Sequence, residues 1–134
     1  MICPACRNDM IVVEYQRIEL DFCPQCRGVW FDHGELDLML QSAKLDNTTL
    51  SDMSHLSEAQ TSEKTRKCPI CRQSMAKNTI GFKAPILIDV CRQGDGLFFD
   101  GGELNQLIKQ LPSKEPGKEN PIIDFLGKVF KATP

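Results

Sequence analysis

Seven cysteines carry the clearest chemistry in this chain: Cys3, Cys6, Cys23, Cys26, Cys68, Cys71 and Cys91. The first four form two CxxC pairs separated by sixteen residues. That spacing falls inside the C-x2-C-x(15–20)-C-x2-C pattern of tetrahedral metal sites, in which two tight turns each supply two soft thiolates. Zinc is the metal this donor set suits best, and iron is the alternative of the same geometry. A disulfide framework fits poorly. The count is odd, no secretory leader is evident, and a reducing cytosol disfavours structural disulfides. The run Cys3-Pro-Ala-Cys6 has the form of a redox dithiol, but no strand precedes it.

The second group copies the first. Cys68-Pro-Ile-Cys71 matches Cys3-Pro-Ala-Cys6, and the stretch from Cys91 to Leu104 matches that from Cys23 to Leu36. The copy departs at one position, where Gly94 stands in place of Cys26. Site two therefore has three thiolates and needs a fourth donor. Asp95, between Gly94 and Gly96, is one candidate, since a carboxylate oxygen is an accepted zinc ligand. A water, a residue from elsewhere such as His55, a partner's side chain, or loss of the metal altogether are the other readings.

These groups need elements to hold them. The chain has 134 residues, room for one ordinary domain or two very small ones. The repeat favours two: lobe one over 1–42, a polar linker over 43–66, lobe two over 67–111, and a loop with a C-terminal helix over 112–134. A lobe of about 40–45 residues is too small to fold on its apolar core alone, so bound metal must staple it. In lobe one, residues 10–15 and 18–22 form a hairpin, with Ile18, Leu20 and Phe22 on its buried face. In lobe two, residues 78–82 and 86–90 play the same parts. Asp32 with Glu35, and Asp100 with Glu103, read as capping boxes opening two short helices. Capping, rather than catalysis or ligation, accounts for these carboxylates, and His33 reads as a surface residue. Trp30, Phe31, Phe98 and Phe99 pack each helix on its ribbon. The expected fold is a small metal-bound α+β protein of two tandem zinc ribbons, each a hairpin plus a helix.

Leu50, Met53 and Leu56 give the linker a weak helical stripe. Past residue 120, Ile122, Phe125, Leu126, Val129 and Phe130 make one apolar face of an amphipathic helix, a candidate partner-binding surface. Hydrophobic residues make up 41% and charged residues 25%, with a formal charge of −2, so neither a disordered nor a strongly basic nucleic-acid-binding chain is indicated. Four thiolates on one Zn2+ lower that charge by two, and three on a second by one, bringing the loaded protein to about −5. Lys64, Arg66, Lys67, Arg72 and Lys77 form a local basic cluster against this trend. No apolar run reaches the ~18 residues of a membrane span.

The run Cys23-Pro-Gln-Cys26-Arg-Gly-Val-Trp-Phe-Asp-His-Gly-Glu-Leu36, preceded by Cys3-Pro-Ala-Cys6, resembles the transcription factor IIB-type zinc ribbon family of small prokaryotic proteins. The family pattern is a CPxC knuckle, a hairpin, then CPxCxGxWxDxGEL. Lobe two matches at Cys68, Cys71, Cys91, Gly96, Asp100, Gly102, Glu103 and Leu104 and departs at Gly94. The resemblance implies a zinc-binding ribbon fold and, from the family's name, a role related to transcription. A shared fold does not by itself confer a function.

The expectation is a zinc-binding, non-catalytic, cytoplasmic interaction module, taking a protein partner or a second copy of itself. Two alternatives stay open: a metal-dependent enzyme or metal-handling protein using an open three-cysteine second site, and a nucleic-acid-binding ribbon. No nucleophile beside a positioned histidine and no glycine-rich phosphate loop is present in the sequence.

Overall fold

The computed structural model describes residues 1–15, 18–36, 38, 57–58, 61, 64–80, 86–101, 103 and 106. Seven strands run in chain order: β1 (Ile11–Tyr15), β2 (Ile18–Phe22), β3 (Val29–Asp32), β4 (Ser57–Glu58), β5 (Ala76–Ile80), β6 (Ile86–Val90) and β7 (Gly96–Phe99). They form one antiparallel sheet in the order β1-β2-β3-β7-β6-β5-β4.

Each lobe contributes three strands, not a hairpin alone. The aromatic segments expected only to pack helices are strands β3 and β7, and they pair with each other. The two ribbons therefore share a sheet. The register is Val29↔Phe99, Trp30↔Phe98 and Phe31↔Leu97. Trp30 and Phe98 occupy equivalent places in the two copies, so a pseudo-twofold axis passes between them. The aromatic residues of both segments, with Val29 in β3, suit this central, buried position.

The pairing sorts the core onto two faces, because side chains alternate along each strand. Trp30 and Phe98 share one face. Phe22, Val29, Phe31 and Phe99 share the other, where the Phe31 and Phe99 rings meet edge-on with centroids 5.6 Å apart. All six are fully buried. Ile18, Leu20 and Phe22 form the buried face of β2, as their alternation indicates.

The linker region holds an unexpected strand. Ser57 and Glu58 pair with Thr79 and Asn78, adding β4 to the outer edge of β5. Neither residue favours strands, so the unpaired edge of β5 supplies the reason. Among the described residues, helical turns appear only at Glu35, Leu36 and Leu38 and at Glu103 and Gln106. The remainder of both expected helices, the Leu50–Met53–Leu56 stripe and the C-terminal segment with Ile122, Phe125, Leu126, Val129 and Phe130 lie outside the described residues.

The capping boxes differ between lobes. In lobe two the Asp100 N–H donates to Glu103 Oε2 at 2.9 Å, completing the reach-back bond. In lobe one Asp32 Oδ1 instead accepts from Trp30 Nε1 at 2.9 Å, and buried Glu35 Oε2 has no hydrogen-bond partner among the described residues. The indole, which Phe98 lacks, draws the lobe-one carboxylate away from the helix end.

Candidate metal centre

Four short knuckles position the cysteines. In each, the first cysteine's N–H donates to the carbonyl five residues on: Cys3 to Asn8, Cys23 to Gly28, Cys68 to Gln73 and Cys91 to Gly96, at 2.8 to 3.0 Å. In three of them an arginine follows the second cysteine in a left-handed conformation, with φ of 65° at Arg7, 66° at Arg27 and 64° at Arg72. A non-glycine residue there costs roughly 1–2 kcal/mol. The arginine N–H repays it by donating to the first cysteine's carbonyl, at 2.8 to 2.9 Å.

The fourth knuckle keeps the same length but shifts its turn. The left-handed residue is Gly94, with φ of 85°, one place earlier than the arginines. Its N–H closes on Cys91 O at 3.1 Å. Asp95 then occupies the place of Arg27, and its carboxylate is one bond longer than a cysteine side chain. Oδ2 lies 3.4 Å from Cys91 Sγ and 3.6 Å from Cys68 Sγ. His55, the other named candidate for this position, lies outside the described residues.

Two four-donor groups result: Cys3, Cys6, Cys23 and Cys26, and Cys68, Cys71, Cys91 and Asp95, with donor atoms in each group within 4.8 Å of one another. Among the sulfur pairs, Cys3–Cys26 lie 3.5 Å apart, Cys6–Cys23 3.3 Å and Cys71–Cys91 3.6 Å. A disulfide would need about 2.05 Å. Tetrahedral zinc with Zn–S bonds of about 2.3 Å sets its sulfurs about 3.8 Å apart, so these three pairs stand within about 0.5 Å of that separation. All seven cysteines are free thiols. The N–H groups of Ile70 and Gln93 donate to Cys68 Sγ and Cys91 Sγ, both at 3.4 Å, as fits sulfurs that carry negative charge on a metal.

The profile of the family described as transcription factor zinc-finger, the TFIIB-type zinc ribbon, matches residues 2–42 and again residues 67–110. The chain belongs to this family. Searches of curated proteins and of solved structures each found no match. The tandem zinc ribbon binds Zn2+, and the donor chemistry of both groups fits that ion.

Without metal, the ribbon's thiols differ in acidity. Burial pushes Cys3 and Cys26 up, and pushes Cys68 up to about 12. At Cys6 burial works in the same direction, but hydrogen bonds from the Asn8 backbone and side chain outweigh it and bring the thiol down to about 6. A metal entering either ribbon must therefore displace protons as well as bind sulfur.

Sequence reasoning gave no packing role to Gly28 and Gly96, which lie at equivalent places two residues past Cys26 and Gly94. A Cβ on Gly28 would stand 2.4 Å from Phe98 Cζ, and one on Gly96 would stand 2.2 Å from Phe31 O and 2.7 Å from Trp30 Cζ2. Their shared spacing from the ligands in both copies was the signal. Arg66 also carries more than charge. It pairs with Asp89 at 3.2 Å and Asp100 at 2.7 Å, and its guanidinium lies 5.8 Å from the Phe98 ring centroid. Lys77 pairs with Asp89 at 2.7 Å. Two of the five cations in the basic cluster are thus held by acids. His33 is exposed and belongs to neither donor group.

Proposed function

We propose that this zinc ribbon protein is a non-catalytic interaction module in which zinc is structural and the shared sheet presents a rigid surface to a protein partner. In this reading Cys3, Cys6, Cys23 and Cys26 hold one Zn2+, and Cys68, Cys71, Cys91 and Asp95 hold the second. The observation that carries it is the Asp95 carboxylate beside Cys68 and Cys91. With it, both coordination shells can close on protein atoms. A closed zinc site holds a fold together, whereas an open position is what zinc chemistry requires.

Charge and exposure favour a protein over nucleic acid. Lys64, Lys67 and Arg72 are the exposed cations of the basic cluster, while Arg66 and Lys77 are paired with Asp89. A loaded charge of about −5 opposes a phosphate backbone. Apolar side chains are exposed at Met1, Ile2, Ile11 and Val12, the last two on the outermost strand β1. The sequence from Ile122 to Phe130 carries a second apolar stripe, with Ile122, Phe125, Leu126, Val129 and Phe130. A transcription-related role would then run through protein contacts, in the cytoplasm. No helix among the described residues is long and apolar enough to cross a membrane.

Two measurements test this reading. Elemental analysis of the reduced protein is expected to give two zinc ions per chain. A titration with labelled duplex DNA and with single-stranded RNA is expected to show only weak binding at 150 mM salt, a concentration near the physiological value. Tight binding with a steep salt dependence would overturn the preference for a protein partner.

A further inference from the structure

We propose that the two metal sites are coupled, so that zinc bound in either ribbon tightens the other through Trp30 and Phe98, which cross the junction. The inference rests on the ligand assignment above and adds a regulatory relation between the sites.

The geometry is reciprocal. The place where a Cβ on Gly28 would sit is 2.4 Å from Phe98 Cζ and 3.3 Å from Cys26 Sγ. A lobe-two ring therefore closes over the same residue that a lobe-one ligand touches. The matching place on Gly96, which closes the Cys91 knuckle, is 2.7 Å from Trp30 Cζ2. The wall behind each lobe's second knuckle is thus an aromatic side chain of the other lobe. Backbone contacts repeat the exchange. The His33 N–H of lobe one donates to Asp95 O at 3.0 Å, and a Cβ on Gly101 of lobe two would stand 2.4 Å from Cys26 O. One buried cluster contains Cys3, Cys23, Cys68, Cys91, Trp30 and Phe98.

Metal binding orders a knuckle that its thiols alone hold weakly. When site two empties, the Cys91–Gly96 turn that seats Trp30 loosens, and the strand carrying Phe98 loosens with it. Cys26 then loses its wall. By linkage the effect runs both ways with the same factor.

The test uses the full chain, reduced and stripped of metal, with Zn2+ affinity at each site measured by competition with a chromophoric chelator. Cys68→Ser disables site two and is expected to lower zinc affinity at site one about tenfold or more. Cys23→Ser should lower site two by the same factor. Phe98→Leu keeps every ligand and guards against simple misfolding of the ligand variants. It is expected to weaken site one, in the other lobe, more than site two. A site-one affinity within about twofold of wild type in Cys68→Ser, or a greater loss at site two in Phe98→Leu, overturns the coupling. Stoichiometry separates this from the underlying assignment. Two zinc ions in wild type and one in Cys68→Ser uphold the ligand sets whatever the affinities do. One zinc in wild type, or two in Cys68→Ser, sinks the assignment and the coupling with it.

Discussion

Asp95 Oδ2 lies 3.4 Å from Cys91 Sγ, four residues upstream, whereas the other three knuckles carry their second sulfur three residues from the first. The left-handed turn at Gly94 makes the change possible, and a longer side chain spans the extra residue. Asp95→Ala is expected to lower zinc affinity at site two at least about 100-fold, since even residues that only orient a ligand cost 10–100-fold. Elemental analysis after dialysis against a weak chelator should then give one zinc per chain.

Metal removal should unfold the protein. Each repeat spans only about 40–45 residues, a size at which a core alone is marginal, and bound zinc supplies folding energy directly. A strong chelator under reducing conditions is expected to abolish the cooperative melt followed by far-UV circular dichroism, and added zinc should restore it. An unchanged melt in the stripped protein would remove the basis for structural zinc.

Gly28→Ala tests the close approach at the junction. Its Cβ would meet the Phe98 ring at 2.4 Å, with the buried strand β3 on one side and Cys26 on the other. Overpacking of this kind costs about 1–3 kcal/mol, a fall in melting temperature of roughly 5–15 °C for a domain this size. Gly34→Ala is the contrast. Nothing lies within 4 Å of its Cβ position, so only the φ of 84° opposes it. That variant should lose about 1 kcal/mol.

Asp89 is only 2% exposed and faces both Arg66 and Lys77. Asp89→Ala would leave two cations without their common counter-ion, and destabilisation of about 2–4 kcal/mol is expected in urea unfolding. Arg66 keeps Asp100 as a partner and is a quarter exposed, which holds the figure below that of a wholly buried pair. Asp89→Asn, which keeps the shape and two polar atoms, should cost less. Equal losses in the two variants would argue against a role for the charge.

The ligand cysteines, the tandem repeat and both hairpins were legible because their signals are local. Cys spacing and the Ile18–Leu20–Phe22 alternation each fit within a few residues. The pairing of Trp30 with Phe98 was not legible, because it joins segments from opposite halves and neither one alone shows its partner. β4 was hidden for a related reason, since Ser57 and Glu58 follow the edge of β5 and not their own preferences. Asp95 stood out because glycines flank it, but the one-residue shift of the turn that aims it appears only in the backbone. The pairing of two cations of the basic cluster was not legible either, because Asp89 sits ten or more residues from Arg66 and Lys77 in sequence and beside both in space.

The pseudo-twofold at Trp30 and Phe98 makes the chain an internal homodimer, in which each half carries both sides of the joint. Two separate ribbons would assemble only above some threshold of abundance. Joined by their connecting segment they meet at a fixed local concentration, so dilution cannot part them. The edges of β3 and β7 are used up against each other inside the molecule, and β1 and β4 stand at its two margins.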